Sequence, residues 1–139
     1  MRPSIRQWGA ILFALFVLHN AEEAIGFVYA SESWLRLLDT FGMRSLAMPP
    51  ATFLRSLATV TAFSAVIAAW IMFAPETRAT LWAVRIWAAI LVVNVFVPHL
   101  PAAVLAGGYV PGVATAVLLN LPLGVACLRG TAKSGPAQT

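Results

Sequence analysis

Leu18-His19-Asn20-Ala21-Glu22-Glu23-Ala24 decides the reading of this chain, because one histidine and two adjacent carboxylates stand inside a long apolar run. The run begins near Ile5 and continues past the stretch to about Tyr29. An acidic side chain at the centre of a membrane helix costs roughly 2.5–3.5 kcal/mol, so the pair costs on the order of 5–7 kcal/mol, whereas each Leu, Ile, Phe or Val recovers only about 0.3–0.6 kcal/mol. Such a helix requires partners for its polar groups elsewhere in the chain.

The remainder of the sequence has the composition of a membrane protein. Of 139 residues, 60% are apolar and 10% charged, and the mean hydropathy is +0.85; a soluble domain carries about a quarter charged residues. Apolar segments long enough to span a bilayer, roughly 20 residues each, fit the length four times. They are expected at about 5–29, 51–73, 80–103 and 109–128. The fold class is therefore an all-α integral membrane protein, a four-transmembrane-helix bundle forming one domain over residues 1–129. Residues 130–139, small and polar, are expected to form a disordered C-terminal tail. Between the first two spans, Trp34, Leu35, Leu37, Leu38, Phe41 and Leu46 alternate with Glu32, Arg36, Asp39 and Arg44. That mixture predicts a short interfacial helix in the first extracytoplasmic loop, ended by Pro49-Pro50.

The net charge of +4 comes from scattered basic residues. No basic run interleaves with aromatics, so nucleic acid is not an expected partner. Arg2, Arg6, Arg78, Arg85, Arg129 and Lys133 fall on one side of the four spans, and Arg36, Arg44 and Arg55 on the other. This bias predicts cytoplasmic N- and C-termini in a bacterial inner membrane. Trp8, Trp70, Trp82 and Trp87 would then form an aromatic belt, with Trp34 on the opposite side and Arg85 snorkelling beside Trp82 and Trp87. Arg2 and Arg6 before an apolar run, with Val28-Tyr29-Ala30 beyond it, have the outline of a signal peptide, but the acidic motif interrupts the run and retention is the expectation. The single Cys127 excludes an intramolecular disulfide. Thr52, Ser56, Thr59 and Phe63 recur at helical spacing and predict a weakly polar stripe facing other helices, and the many small residues allow a homo-oligomer.

At 1.5 Å per residue, His19 to Glu23 lie roughly 20–25 Å from the cytoplasmic start of the first span. Counting up the third span from Trp82 puts Asn94 at about 18 Å and His99 at about 25 Å, the same depth. Glu22 and Glu23 are i+3 and i+4 from His19, so all three can share a face. Gly26 extends that face and permits close approach. Pro98 frees a carbonyl and can bend the third span around a cavity. The expectation is a polar pocket in the outer half of the bundle, with Tyr109 at its mouth.

His19-Asn20-Ala21-Glu22-Glu23, the later His99 and Tyr109-Val110-Pro111-Gly112 resemble the motifs of the HXXEE family of small integral membrane proteins, which carries a second histidine and a Tyr-X-Pro-Gly motif. The resemblance runs from His19 to Gly112. It implies an enzyme on the strength of catalytic-looking motifs, and no defined substrate. Asn94, Pro98 and Asn120 fall outside those motifs.

Two catalytic readings follow from the residues. His19, Glu22, Glu23 and His99 can bind a divalent metal, zinc or iron, with an open position for water, oxygen or substrate. Alternatively, without metal, a protonated glutamate serves as acid and an ionised one or a histidine as base, isomerising, cyclising or hydrating an apolar molecule. Tyr109 is either a phenolic donor to the same site or an interfacial anchor. A structural reading pairs Glu22 or Glu23 with Arg55 or His99 to hold the helices together, and a transport reading uses the same groups to relay protons or bind a cation. Asn94 and Asn120 are expected as interhelical hydrogen-bond partners. The catalytic reading, with a hydrophobic lipid-like or isoprenoid-like substrate entering from the lipid bilayer, is the one taken forward, with His19, Glu22, Glu23, His99 and Tyr109 as its residues.

Overall fold

The computed structural model describes residues 3–40, 42 and 44–132. Four helices are long and apolar enough to cross a membrane, over Ile5–Tyr29, Pro50–Phe73, Arg78–Ala106 and Val113–Ala132, which marks an integral membrane protein with an all-α four-helix bundle. They belong to helices α1 (Ile5–Thr40), α2 (Pro50–Phe73), α3 (Arg78–Ala106) and α4 (Val113–Ala132).

The predicted interfacial helix is not a separate element. No proline or glycine stands between Ser31 and Thr40, so α1 runs unbroken to Thr40 before Gly42, whose φ of 64° no helix accommodates. About 16 Å of α1 thus continues beyond the span. Glu32 and Arg36 pair across one exposed turn at 3.5 Å, and Arg44 pairs with Asp39 across the reversal. A short turn, Arg44–Leu46, leads to α2, which starts with proline in its first turn, where the missing N–H is not needed. Reciprocal hydrogen bonds between Thr77 and Thr80 box the start of α3, so α3 begins two residues earlier than expected. Gly112, at φ 86°, sets the start of α4 at Val113, four residues later than the sequence suggests. Its other end reaches Ala132, into the segment expected as tail; residues 133–139 lie outside the described residues, as do Arg2, Phe41 and the side chains of Trp34, Leu37 and Leu46.

The bundle divides along its length. One half is an apolar core in which Trp8, Leu12 and Leu15 of α1 meet Ala68 and Ile71 of α2, Val84, Trp87 and Leu91 of α3, and Cys127 of α4. Trp8 and Trp87 are therefore core residues rather than belt residues: Trp8 lies against Gly130, and Phe13 and Phe16 tilt onto Trp87 with ring centroids 6.4 and 6.3 Å away. Trp70 and Trp82 are the exposed pair. Arg85 does more than snorkel. Its Nη2 donates to the Thr131 carbonyl at 2.8 Å, tying α3 to the end of α4, while its guanidinium lies 5.3 Å from the centre of the Trp82 ring.

The stripe through Thr52, Ser56, Thr59 and Phe63 is exposed; α2 instead buries Ser64, Ala68 and Ile71. Thr59 shows why hydroxyl spacing misleads, since its Oγ1 donates to the Arg55 carbonyl of its own helix at 2.8 Å and needs no neighbour. Asn20 supplies the polar tie between α1 and α2, donating from Nδ2 to Thr61 Oγ1 at 2.7 Å.

Close approach of α3 and α4 depends on Gly124, where an added Cβ would lie 2.7 Å from Val92 Cγ2 and 3.2 Å from the Ala88 carbonyl oxygen. Gly124→Leu is expected to destabilise the bundle by about 1–3 kcal/mol through overpacking, read as a lower midpoint in reversible unfolding from detergent micelles.

Candidate functional site

The other half of the bundle holds the polar residues. His19 and Glu23 occupy successive turns of one face of α1, and His99 reaches them because α3 is broken. Pro98 has no N–H and disfavours helical dihedrals in the residue before it; Val97 accordingly sits at φ −147°, ψ 108°, and the Val97–Pro98 peptide is cis. Around that break the Leu100 N–H reaches back five residues to the Val95 carbonyl, a widened turn of the kind found at functional sites. His99 is buried there, its ring edge-on to that of His19 with centroids 4.7 Å apart.

Three potential ligand atoms converge. His19 Nε2 and His99 Nε2 are 3.1 Å apart, and Glu23 Oε1 lies 3.6 Å from the first and 3.4 Å from the second. These residues form a group able to hold a metal ion. The His19 ring is oriented from behind: Thr115 Oγ1 donates to the Gly112 carbonyl at 3.4 Å and lies 2.9 Å from His19 Nδ1. A metal on the Nε2 side would require the tautomer in which Nδ1–H donates to this hydroxyl. Asn94 Nδ2 lies 2.8 Å from His19 Nε2, so a metal on that nitrogen would displace an amide donor.

Gly112, in the loop between α3 and α4, closes the group from that end of the bundle. A Cβ at this position would stand 2.5 Å from His99 Cε1, 2.9 Å from Glu23 Cγ and 3.0 Å from His19 Cε1. Its positive φ and the absence of a side chain are both required for the loop to seat there. Gly26 permits the same approach from α1, since a Cβ there would meet Pro111 Cβ at 2.9 Å.

Glu22 has a different assignment. Its carboxylate accepts from the backbone N–H groups of Ala114, at 3.1 Å, and Thr115, at 2.7 Å, and from the Tyr109 hydroxyl at 2.9 Å. The first N–H groups of a helix have no partner within it and carry the positive end of its dipole, so Glu22 caps α4. Of the four metal ligands expected, the structure brings together His19, Glu23 and His99 and separates Glu22 from them; Tyr109 is held by Glu22 and not by the histidines. Arg55 takes no part, for Glu23 lies against the two imidazoles. Asn94 makes the expected interhelical bond. Asn120 does not: it is fully buried, and both its amide atoms lack a hydrogen-bond partner among the described residues. Thr115 and Gly112 serve the site without having been singled out as site residues, and only the position of Gly112 in the Tyr-X-Pro-Gly motif pointed to it.

Beside the group is a cavity of about 250 Å³, with Glu23 and His99 at its polar end and Phe27, Phe53, Ala102 and Val110 among its apolar walls. The Phe27 and Phe53 rings stack with centroids 4.2 Å apart.

The model of a family described as a protein of unknown function with HXXEE motif matches residues 10–127. This chain belongs to the HXXEE family. In this HXXEE protein the matched region takes in both histidines, Glu22, Glu23 and the loop that carries Gly112. No curated protein matches the chain, and no solved structure does.

Burial, followed by the hydrogen bond to the Glu22 carboxylate and its negative charge, pushes the Tyr109 hydroxyl up from 10.0 to about 12. A raised value means that the folded chain holds this proton more tightly, so the contact stabilises fully below about pH 10 and is lost as pH rises towards about 12. In an ultraviolet titration, Tyr109→Phe is expected to abolish the phenolate phase near 12, and the pH dependence of stability between those values should flatten with it.

Proposed function

We propose that this HXXEE protein is a membrane-embedded enzyme with a divalent-metal centre held by His19, His99 and Glu23, acting on a hydrophobic, lipid-like or isoprenoid-like molecule that enters from the bilayer. One observation carries the reading. The three ligand atoms form a triangle with sides of 3.1, 3.4 and 3.6 Å, and an ion with tetrahedral bonds of 2.0–2.1 Å needs ligand separations of about 3.3–3.4 Å. A zinc-like ion bound by two imidazoles and one carboxylate retains an open position, at which it activates water or polarises a substrate oxygen.

The chain's own residues have definite tasks in this reading. Thr115 accepts from His19 Nδ1–H, and Gly112 leaves the ligand atoms room to converge. Glu22 positions the loop that supplies both, acting through Ala114 and Thr115, while Tyr109 holds Glu22 with its one hydroxyl proton. The apolar cavity beside Glu23 and His99 favours a substrate drawn from lipid. The 3.1 Å separation of the two Nε2 atoms also fits a shared proton, which supports metal-free acid/base chemistry as the second reading.

The basic residues support cytoplasmic termini in a bacterial inner membrane, with residues 1–129 as one membrane domain: Arg6 donates to the Ala74 carbonyl at 3.4 Å, grouping the start of α1 with the end of α2 and the adjacent Arg78. A C-terminal fusion is expected to report a cytoplasmic location, and an extracytoplasmic signal would reverse the orientation.

Elemental analysis after gentle, chelator-free purification is expected to find about one zinc or iron per chain in the wild type and little in His19→Ala, His99→Ala or Glu23→Gln, with Thr115→Val weakening affinity about 10–100-fold. Wild-type protein without stoichiometric metal would overturn the metal centre and leave the acid/base reading.

A further inference from the structure

The cavity described above meets a second one at the ligand group. The second, of about 330 Å³, lies between α1, α2 and α3 and is lined by Phe16, His19, Ser56, Val60, Ile90 and Asn94 among others. Glu23, Met48 and Phe53 line both cavities. The ligand residues are divided between them: His99 faces the first, His19 the second, and Glu23 both. The polar centre therefore joins two apolar spaces, the second a groove open at the bundle surface where Met48, Val60 and Ile90 are exposed, and is not the polar end of a single cavity. An amphiphile with a terminal headgroup at this junction would fill one of the two spaces and make no contact with the other. Among the described residues neither lining includes a lysine or arginine, so these walls offer no cation to an anionic headgroup.

We infer that the site takes an elongated, uncharged molecule whose polar reactive function is internal, such as an ester, amide or secondary alcohol, with one apolar arm in each chamber and the function at Glu23 and the two imidazoles. This substrate class rests on the catalytic reading of the site. Burial of apolar surface in both chambers would supply the affinity, and the group at the junction would select the position along the chain at which chemistry occurs.

The test uses two isomeric hydroxamic acids with the full-length protein in detergent: an N-alkyl alkanohydroxamic acid with arms of equal length, and the straight-chain isomer with its hydroxamate at one end. A hydroxamate chelates a metal and also hydrogen-bonds to carboxylate and imidazole, so the comparison reads the arms whether or not metal is bound. The two-armed isomer is expected to bind about tenfold more tightly or better, since both isomers carry the same methylenes but one arm in each cavity buries more of them than a single arm that outruns one cavity. Ala102→Phe, which fills the first chamber, and Ser56→Phe, which fills the second, should each weaken it severalfold. Equal affinity, preference for the terminal isomer, or binding by neither in the wild type overturns the two-armed site, and this comparison does not depend on either variant folding. Metal content measured on the same samples separates the claims: a metal-loaded protein without the preference overturns the internal-function substrate alone, and a metal-free protein that keeps the preference overturns the metal centre alone.

Discussion

Two carboxylates placed side by side in the apolar part of α1 are the constraint on which the rest of this structure depends. In hydrocarbon neither can be left without donors. The helix itself separates them: consecutive residues point about 100° apart, so Glu22 and Glu23 face different neighbours. Glu22 turns to the open N–H groups at the start of α4 and to the Tyr109 hydroxyl. Glu23 turns to two imidazoles. One carboxylate assembles the loop, and the other joins the group that the loop encloses.

That division extends to the whole bundle. Large apolar side chains fill the half containing Trp8, Leu12, Ile71 and Trp87, and this packing fixes the spacing of α1, α2 and α3. The polar half is closed instead by close backbone approach at Gly26 and Gly112, with hydrogen bonds holding the geometry. Between the halves, α2 leans mainly on α1 and leaves room towards α3, where the second chamber lies. Rigid packing and an accessible polar centre thus coexist because they occupy different depths of the same helices.

Much of this was legible in the sequence. Apolar run lengths gave the four spans, and counting rise per residue put His19 and His99 at one depth, where they meet. Other features depended on information that periodicity does not carry. Spacings of three and four residues both mean the same face, so Glu22 looked equivalent to Glu23; its partners are backbone N–H groups, which no residue type announces. Thr115 is recognisable as a support only once the α4 start is known to follow Gly112. Trp8 and Trp87 have the composition of interface anchors and are drawn inward by aromatic and glycine neighbours. The interfacial helix was inferred from polarity, whereas the backbone continues as long as nothing interrupts it.

The partners of α1 also come late in the chain. The residue paired with His19 at 3.1 Å lies 80 positions further on, and the N–H groups that receive Glu22 lie 92 and 93 positions beyond it. During synthesis α1 is made first, and its carboxylates are without these donors until the last helix arrives. A chain cut short before Thr115 loses more than its final helix, because it also loses the groups that allow its first helix to stay.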